Sequence, residues 1–348
     1  MTTRGTTAEL HGPDHRLRDD LIHRRHLLES ARSAGGGGEI RRLLDEVDEA
    51  LRRMDHGDLG SCRVCGGAVE PELLGADPLR RVCLECLSSV ERRALEIDLA
   101  LAADVQGALT RRGELRLPGW HAYVHSRAAG TVGGDFVDLV EAPDDGGVRF
   151  VVGDVSGKGI SAALLASHLQ ALFRAVVALP GSLTSRVARV NRMFSAVTPT
   201  QAFATMVWGQ IDGSGRGELV NAGHPPALVV GRRGCRRVES TGVPVGLFAS
   251  ARYESSSFEL APGEQLVVVT DGVTESADGD DREYGVDGLW TMVSQRDLEI
   301  GPEQAAVRYL DDVVRHRAGS PQHDDLTLLV LRRACCVAAP EPADHRVS

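Results

Sequence analysis

The sequence has no long hydrophobic run. A membrane-spanning helix needs about 18 or more consecutive apolar residues. The nearest stretch, LLASHLQALFRAVVAL (164–179), is interrupted by His168, Gln170 and Arg174. The opening residues, MTTRGTTAELHGPDHR, lack the apolar core of a secretion signal. These two absences predict a cytoplasmic protein with no membrane partner. Positive charge is also short. The net charge is -10, which argues against a broad nucleic-acid surface. No internal repeat is visible. What remains is a chain of 348 residues, 42% hydrophobic, which is enough for about two or three domains with a sizeable core.

Organisation changes along the chain. Residues 1–38 read as disordered or partly helical, with a helical pattern over 16–33 broken by glycines 35–38. EIRRLLDEVDEALRRM (39–54) repeats Ile40, Leu43, Leu44, Val47, Leu51 and Met54 at helical spacing. A cysteine module follows and closes a segment 39–92. A helical pattern over 87–109 sets Val90, Leu95, Leu99, Leu101, Val105 and Leu109 along one stripe. It predicts a helical linker, 93–114, and a homodimer through it. From 115 to 333 short strand patterns dominate: 148–152, 203–211, 217–223, 227–231, 265–270 and 326–331. Helical patterns fall at 161–179, 183–197 and 302–317. Gly and Pro turns between the strands predict antiparallel hairpins and an α+β domain. Residues 334–348 form a tail.

Four of the seven cysteines sit at metal-ligand spacing. Cys62-x2-Cys65 and Cys83-x2-Cys86 are separated by 17 residues. Two close thiol pairs suit one tetrahedral structural zinc with no open position for catalysis. Four reduced or redox-active thiols are the alternative. Cys235, Cys335 and Cys336 have no interpretable partner spacing. From Cys62 to Arg93, five arginines balance five acids, so no basic stripe points to DNA. Residues 40–92, centred on HGDLGSCRVCGGAVEPELLGADPLRRVCLECL, resemble the DksA/TraR zinc-finger family. Members of that family bind RNA polymerase through an acidic coiled-coil tip, and this sequence has no such tip.

GDVSGKG (153–159) has the look of a phosphate-binding loop but fails its pattern. Three residues rather than four separate Gly153 from Gly157, and Gly159 stands where Ser or Thr is needed. Asp154 would aim a carboxylate into a cradle for anions. An acid in a glycine-rich turn suits a hard cation, which prefers carboxylate, carbonyl and water oxygens. Other acids stand at comparable places: Asp135 ends VGGD, Asp271 follows QLVVVT, and Asp324 and Asp325 precede LTLLVL. Acids converging at strand ends are costly unless cations fill the site. The alternative is a set of ordinary turn and strand-cap aspartates.

VGGDFVDL, GDVSGKGISAALLA, NAGHPP, LAPGEQLVVVTDGVTES and HDDLTLLVL, in this order, resemble the SpoIIE/RsbU-type branch of the PPM metal-dependent protein phosphatases. The resemblance covers about 100–332. It implies a sandwich of two antiparallel sheets flanked by helices. It implies two Mn²⁺ or Mg²⁺ ions and hydrolysis of phosphoserine or phosphothreonine by a hydroxide bridging them. The implied ligands are Asp154, bridging both ions, the Val155 carbonyl, Asp135, Asp271 and Asp324, with Asp325 as a ligand or a supporting group. The implied partner is a phosphorylated regulatory protein such as a STAS-type anti-sigma-factor antagonist. His224 and Asn221 read as structural, Arg127 as a candidate phosphate contact, and Lys158 as a surface or phosphate-steering group. The helix at 161–179 reads as core, and the resemblance allows it a switching role. A non-catalytic protein that binds transcription machinery through the finger is the competing reading. A finger that senses redox state or zinc is a third.

Overall fold

The computed structural model describes residues 38–335, apart from 71–73, 75–77, 143, 199–201 and 296–297, together with 18, 21–26 and 28–29. The expectations for residues 1–15 and for most of the 334–348 tail lie outside the described residues. The chain divides into two units, Met1–Asp98 and Leu99–Ser348. The boundary falls inside the expected linker helix.

In the first unit, helix α1 (Gly38–Asp55) buries the stripe read from the sequence. Val47 and Ala50 pack with Leu21, backed by Leu51 and Met54. Arg52 and Arg53 fall in its last turn, where cations meet the negative end of the helix. The cysteine module is small and mostly turns, with one short 3₁₀ turn at Leu84–Cys86. Its apolar centre is Val69 and Leu74 with the Cys62 and Cys83 side chains themselves. Helix α2 (Ser89–Leu109) leads out of it. Its start is capped reciprocally, because Glu91 N–H donates to Ser88 Oγ (3.2 Å) and Ser88 N–H donates back to Glu91 (3.1 Å).

The second unit is a sandwich of two antiparallel sheets. One has six strands in the order β1 (Gly113–Leu117), β2 (Trp120–Arg127), β11 (Leu326–Arg333), β10 (Gln265–Val269), β7 (Ala227–Gly231), β8 (Gly234–Val238). The other has five: β3 (Asp135–Ala142), β4 (Gly147–Val155), β5 (Ala204–Ile211), β6 (Arg216–Ala222), β9 (Ser256–Glu259). Every strand pair is antiparallel. The strands facing both layers are near-continuous apolar runs, as QLVVV in β10 illustrates, because both of their faces are covered.

Three apolar layers explain this. Val137, Phe150, Val152, Leu266 and Leu329 lie between the two sheets. Phe136, Val151, Met206 and Trp208 face helices α3 (Gly159–Val176) and α4 (Leu183–Val197). Phe173 of α3 meets Trp208 edge-on at 4.9 Å. Val267, Leu328 and Val330 face helices α6 (Gly285–Val293) and α7 (Pro302–Arg317), while a single turn, α5 (Asp271–Thr274), follows β10. The expected α+β architecture, two antiparallel sheets between helices, is therefore present. Helix α3 is apolar and long enough by composition to cross a membrane. Here its apolar face, including Ala162, Ala166, Leu169 and Phe173, packs on the five-stranded sheet.

Candidate metal centre

The aspartates expected to converge do so at one end of the sandwich. Antiparallel register sets Asp135, the first residue of β3, opposite Asp154 near the end of β4. Alternation along the strands turns both toward the space between the sheets, on the face shared with Val137 and Val152. The six-stranded sheet contributes from the other side. Thr270 follows β10 and caps α5, which Asp271 opens, while Asp324 and Asp325 lead into β11.

Each acid has its own environment. Asp135 is 7% exposed. Its Oδ2 accepts a 2.8 Å bond from the Thr270 hydroxyl, while its Oδ1 is buried with no protein partner. Burial first, then the neighbouring Asp154 charge, pushes its carboxyl well above the ordinary range. Burial, followed by the charges of Asp271, Asp324 and Asp325, pushes Asp154 up to about 7. Burial and Asp324 also raise Asp271. Like charges gathered in a partly dry site disfavour their own ionisation. A divalent cation removes that penalty and supplies the partner that Asp135 Oδ1 lacks.

Glycine shapes the cradle. A Cβ on Gly134 would stand 2.8 Å from the Val155 carbonyl and 3.0 Å from Asp154 Oδ1. Those are the two groups expected to hold a cation, and only a residue without a side chain leaves their approach open. The donor set of carboxylates and one carbonyl suits Mg²⁺ or Mn²⁺ chemically. The residues present therefore fit the expected cations.

Of the two roles expected for Asp325, ligand and supporting group, its hydrogen bonds fit the second. Its Oδ1 accepts from Ala129 N–H at 2.8 Å, and its Oδ2 accepts from Gly134 N–H at 2.6 Å and Asp135 N–H at 3.4 Å. The carboxylate is spent holding the 129–135 loop, and Gly133 is needed beside it, since a Cβ there would fall 2.1 Å from Oδ2. Asp324 keeps its carboxylate toward the site, with Oδ1 accepting from Asp325 N–H at 2.9 Å and Oδ2 3.1 Å from Lys158 Nζ.

Two supporting side chains were not foreseen. The Gln106 amide in α2 pairs with the backbone of Gly133 twice, Nε2 donating to its carbonyl at 2.6 Å and Oε1 accepting from its N–H at 3.1 Å. Thr270 is locked by Thr327 N–H (3.0 Å) so that its hydroxyl faces Asp135. A threonine just past a strand and a glutamine within a helix carry no spacing signal of their own. Asn221 and His224 form a turn, as read from the sequence: Asn221 Oδ1 accepts from His224 N–H at 2.8 Å. Burial holds the His224 imidazole down to about 3, and its Nδ1 lies 2.8 Å from Thr205 Oγ1. Arg127 is exposed, and its backbone carbonyl, at 3.2 Å from Gln322 Nε2, is what meets the neighbouring loop.

In the first unit, the ligand atoms of Cys62, Cys65, Cys83 and Cys86 all lie within 4.8 Å of one another.

A two-sheet sandwich between helices, with an aspartate cluster at the end of its sheets, is the architecture of the PPM-type fold. The family model for Stage II sporulation protein E (SpoIIE) matches residues 144–334, more than half of the chain. The chain belongs to the SpoIIE family. Protein IcfG of Synechocystis is 27% identical over 62% of this chain and 38% of its own length. Phosphoserine phosphatase RsbU of Bacillus subtilis is 25% identical over 70% of this chain and 72% of its own. The chain thus spans well under half of the first relative and most of the second. The PP2C domain of SiaA from Pseudomonas aeruginosa shares the fold with a TM-score of 0.59 at 17% identity, over 70% of this chain and 98% of that one.

Proposed function

We propose that the chain hydrolyses phosphoserine or phosphothreonine on a regulatory protein, with two Mn²⁺ or Mg²⁺ ions held by Asp135, Asp154, the Val155 carbonyl, Asp271 and Asp324. The observation that carries this reading is the buried, unpartnered Oδ1 of Asp135 among mutually repelling aspartates. When bound, the two cations lower the pKa of a water toward about 7 and offset phosphoryl charge. The chain's residues do the rest. Asp154, which feels the charges of Asp271 and Asp324 and is itself felt by Asp135, would hold both cations. Thr270 orients Asp135, and Asp325 with Gln106 fixes the loop that carries it. Water attacks phosphorus, the bond from phosphorus to the serine or threonine oxygen breaks, and that oxygen leaves with a proton. No side-chain nucleophile takes part.

The partner class follows the same family, with a STAS-type anti-sigma-factor antagonist as the proposed substrate and the cytoplasm as its place. DNA and membrane have no part in this reading. Hydrolysis of p-nitrophenyl phosphate by the full chain tests it. Manganese-dependent turnover that disappears in Asp154→Asn supports it, and turnover unchanged in that variant overturns the site.

The cysteine module is proposed to hold one structural zinc. Four sulfurs at about 2.3 Å from a tetrahedral ion stand about 3.8 Å apart, and Cys65 Sγ lies 3.8 Å from Cys83 Sγ. Backbone N–H groups of Val64 and Cys83 point at Cys62 Sγ, each at 3.4 Å, and with Cys65 they hold its thiol down to about 6. Burial pushes the Cys83 thiol up, and the neighbouring Cys65 and Cys83 push Cys86 up to about 12, so a cation among the four is what would favour the thiolate at each. Zinc analysis of Cys62→Ser checks it: one zinc per chain is lost, and retention of zinc defeats the four-cysteine site. Val90, Ile97, Leu101 and Val105 are exposed on α2, which supports a homodimer through that helix; light scattering of the full chain returns twice the chain mass if it forms.

A further inference from the structure

Lys158 is the only lysine among the 348 residues; every other member of the 39 Lys and Arg residues is arginine. It stands at the rim of the aspartate cluster, as the residue before helix α3, between Gly157 (φ 102°) and Gly159 (φ 73°). Two left-handed glycines fold the chain back so that this one side chain crosses to the 322–325 loop. Its Nζ lies 3.1 Å from Asp324 Oδ2 and donates to the His323 carbonyl at 2.8 Å.

This contact is easily exchanged. The Lys158 side chain is 65% exposed and that of Asp324 41%, and ion pairs in such positions contribute little net stability. Beside it opens a cavity of about 390 Å³, lined in part by Thr131, Ile160, Gln322 and Asp324. Lys158 is the one Lys or Arg among the described residues lining that cavity. A phosphoryl dianion entering here meets the acids Asp324 and Asp325 in the lining, and needs compensating charge besides bound cations. An Asp324 oxygen given to a cation is no longer free to hold Lys158. The released ammonium, a compact charge on a flexible stem, can follow a phosphoryl oxygen into the cavity, whereas a planar guanidinium would demand a fixed two-point geometry.

We infer that Lys158 is the substrate-phosphate contact of this site, exchanging Asp324 for a phosphoryl oxygen when the phosphorylated side chain enters the cavity beside α3. The inference rests on the phosphatase reading and adds the group that recognises the substrate.

A chain with a single lysine allows a direct test. The full chain is treated with an amine-selective acylating reagent, and modification of Lys158 is followed by mass spectrometry with manganese alone and with manganese plus inorganic phosphate. Phosphate is expected to slow acylation of Lys158 by about fivefold or more, as a charge-assisted contact removes the amine from solvent. In parallel, Lys158→Gln is expected to raise the inhibition constant of inorganic phosphate and the KM for p-nitrophenyl phosphate about tenfold, with kcat much less affected. Lys158→Arg is expected to recover part of the loss. Manganese binding to Lys158→Gln should tighten two- to fivefold, about the worth of an exposed ion pair removed from Asp324. Acylation that ignores phosphate, or an unchanged phosphate inhibition constant in Lys158→Gln, overturns the inference. A wild-type chain without manganese-dependent turnover would instead defeat the phosphatase reading, and phosphate protection of Lys158 would still decide the contact.

Discussion

The chain gathers like side chains twice, and the two gatherings differ in what surrounds them. The aspartate cluster sits at the end of a sandwich with three apolar layers. The cysteine cluster sits in a module whose apolar centre is two residues and the cysteines themselves. A large core can carry a repulsive site and still fold. A core this small needs a staple, and metal binding is then part of folding. The lesson is that emptying the first site should cost activity, while emptying the second should cost structure.

The largest expected effect breaks the first half of this contrast. Asp154→Asn removes a charge at the centre of the cluster without changing side-chain size. Loss of cation-assisted charge stabilisation worth several kcal/mol lowers turnover by about 10³-fold or more. Calorimetry should show the sandwich transition kept, because repulsion among Asp135, Asp154 and Asp271 is relieved. An early-melting sandwich in that variant would place the aspartates in the architecture rather than in the chemistry.

Asp325→Ala should do both kinds of damage. It strips the Ala129, Gly134 and Asp135 N–H groups of their acceptor, at a cost of about 2–3 kcal/mol. Denaturant unfolding and manganese affinity should both weaken. Gln106→Ala should be milder, costing about tenfold in manganese affinity, as supporting bonds to a ligand-bearing loop commonly do. Titration calorimetry separates the two variants, and equal effects would mean that the Gly133 loop is held from one side only.

The pH dependence sharpens the comparison further. In the folded, metal-free chain Asp154 is raised from 3.8 to about 7, and Asp135 and Asp271 are raised too. The fold then binds more protons than the unfolded chain between these values, so this contribution to stability is full below about pH 4 and is lost as pH rises through about 7. With a chelator present, the sandwich should melt lower at pH 8 than at pH 5. Manganese should raise its Tm more at pH 8, since ligands must be deprotonated to bind. A larger manganese effect at pH 5 would contradict the raised carboxyls.

Much of this was legible in the sequence, for identifiable reasons. Helices at 183–197 and 302–317 and the strand at 227–231 coincide with α4, α7 and β7, because periodicity is plain where one face is buried. Asp135, Asp154, Asp271 and Asp324 announced themselves as acids beside glycines or at strand ends. Strands β2 and β3 gave no such notice: WHAYVHSR mixes polar residues into its alternation, and DFVDLVEA places Asp138 inside a strand, fully buried against Arg174. The linker helix read as a spacer, yet Gln106 near its end grips the Gly133 loop. The partners of Asp325 were hidden for the same reason, since a carboxylate that accepts from backbone N–H groups across 190 positions or more leaves no local pattern.

The most direct test of the central claim is manganese titration of the full chain beside Asp154→Asn at pH 8, with phosphate release followed in the same samples. Two manganese ions in the wild type, with both binding and turnover lost together in the variant, is the predicted result. A variant that keeps both ions and its turnover would contradict the account.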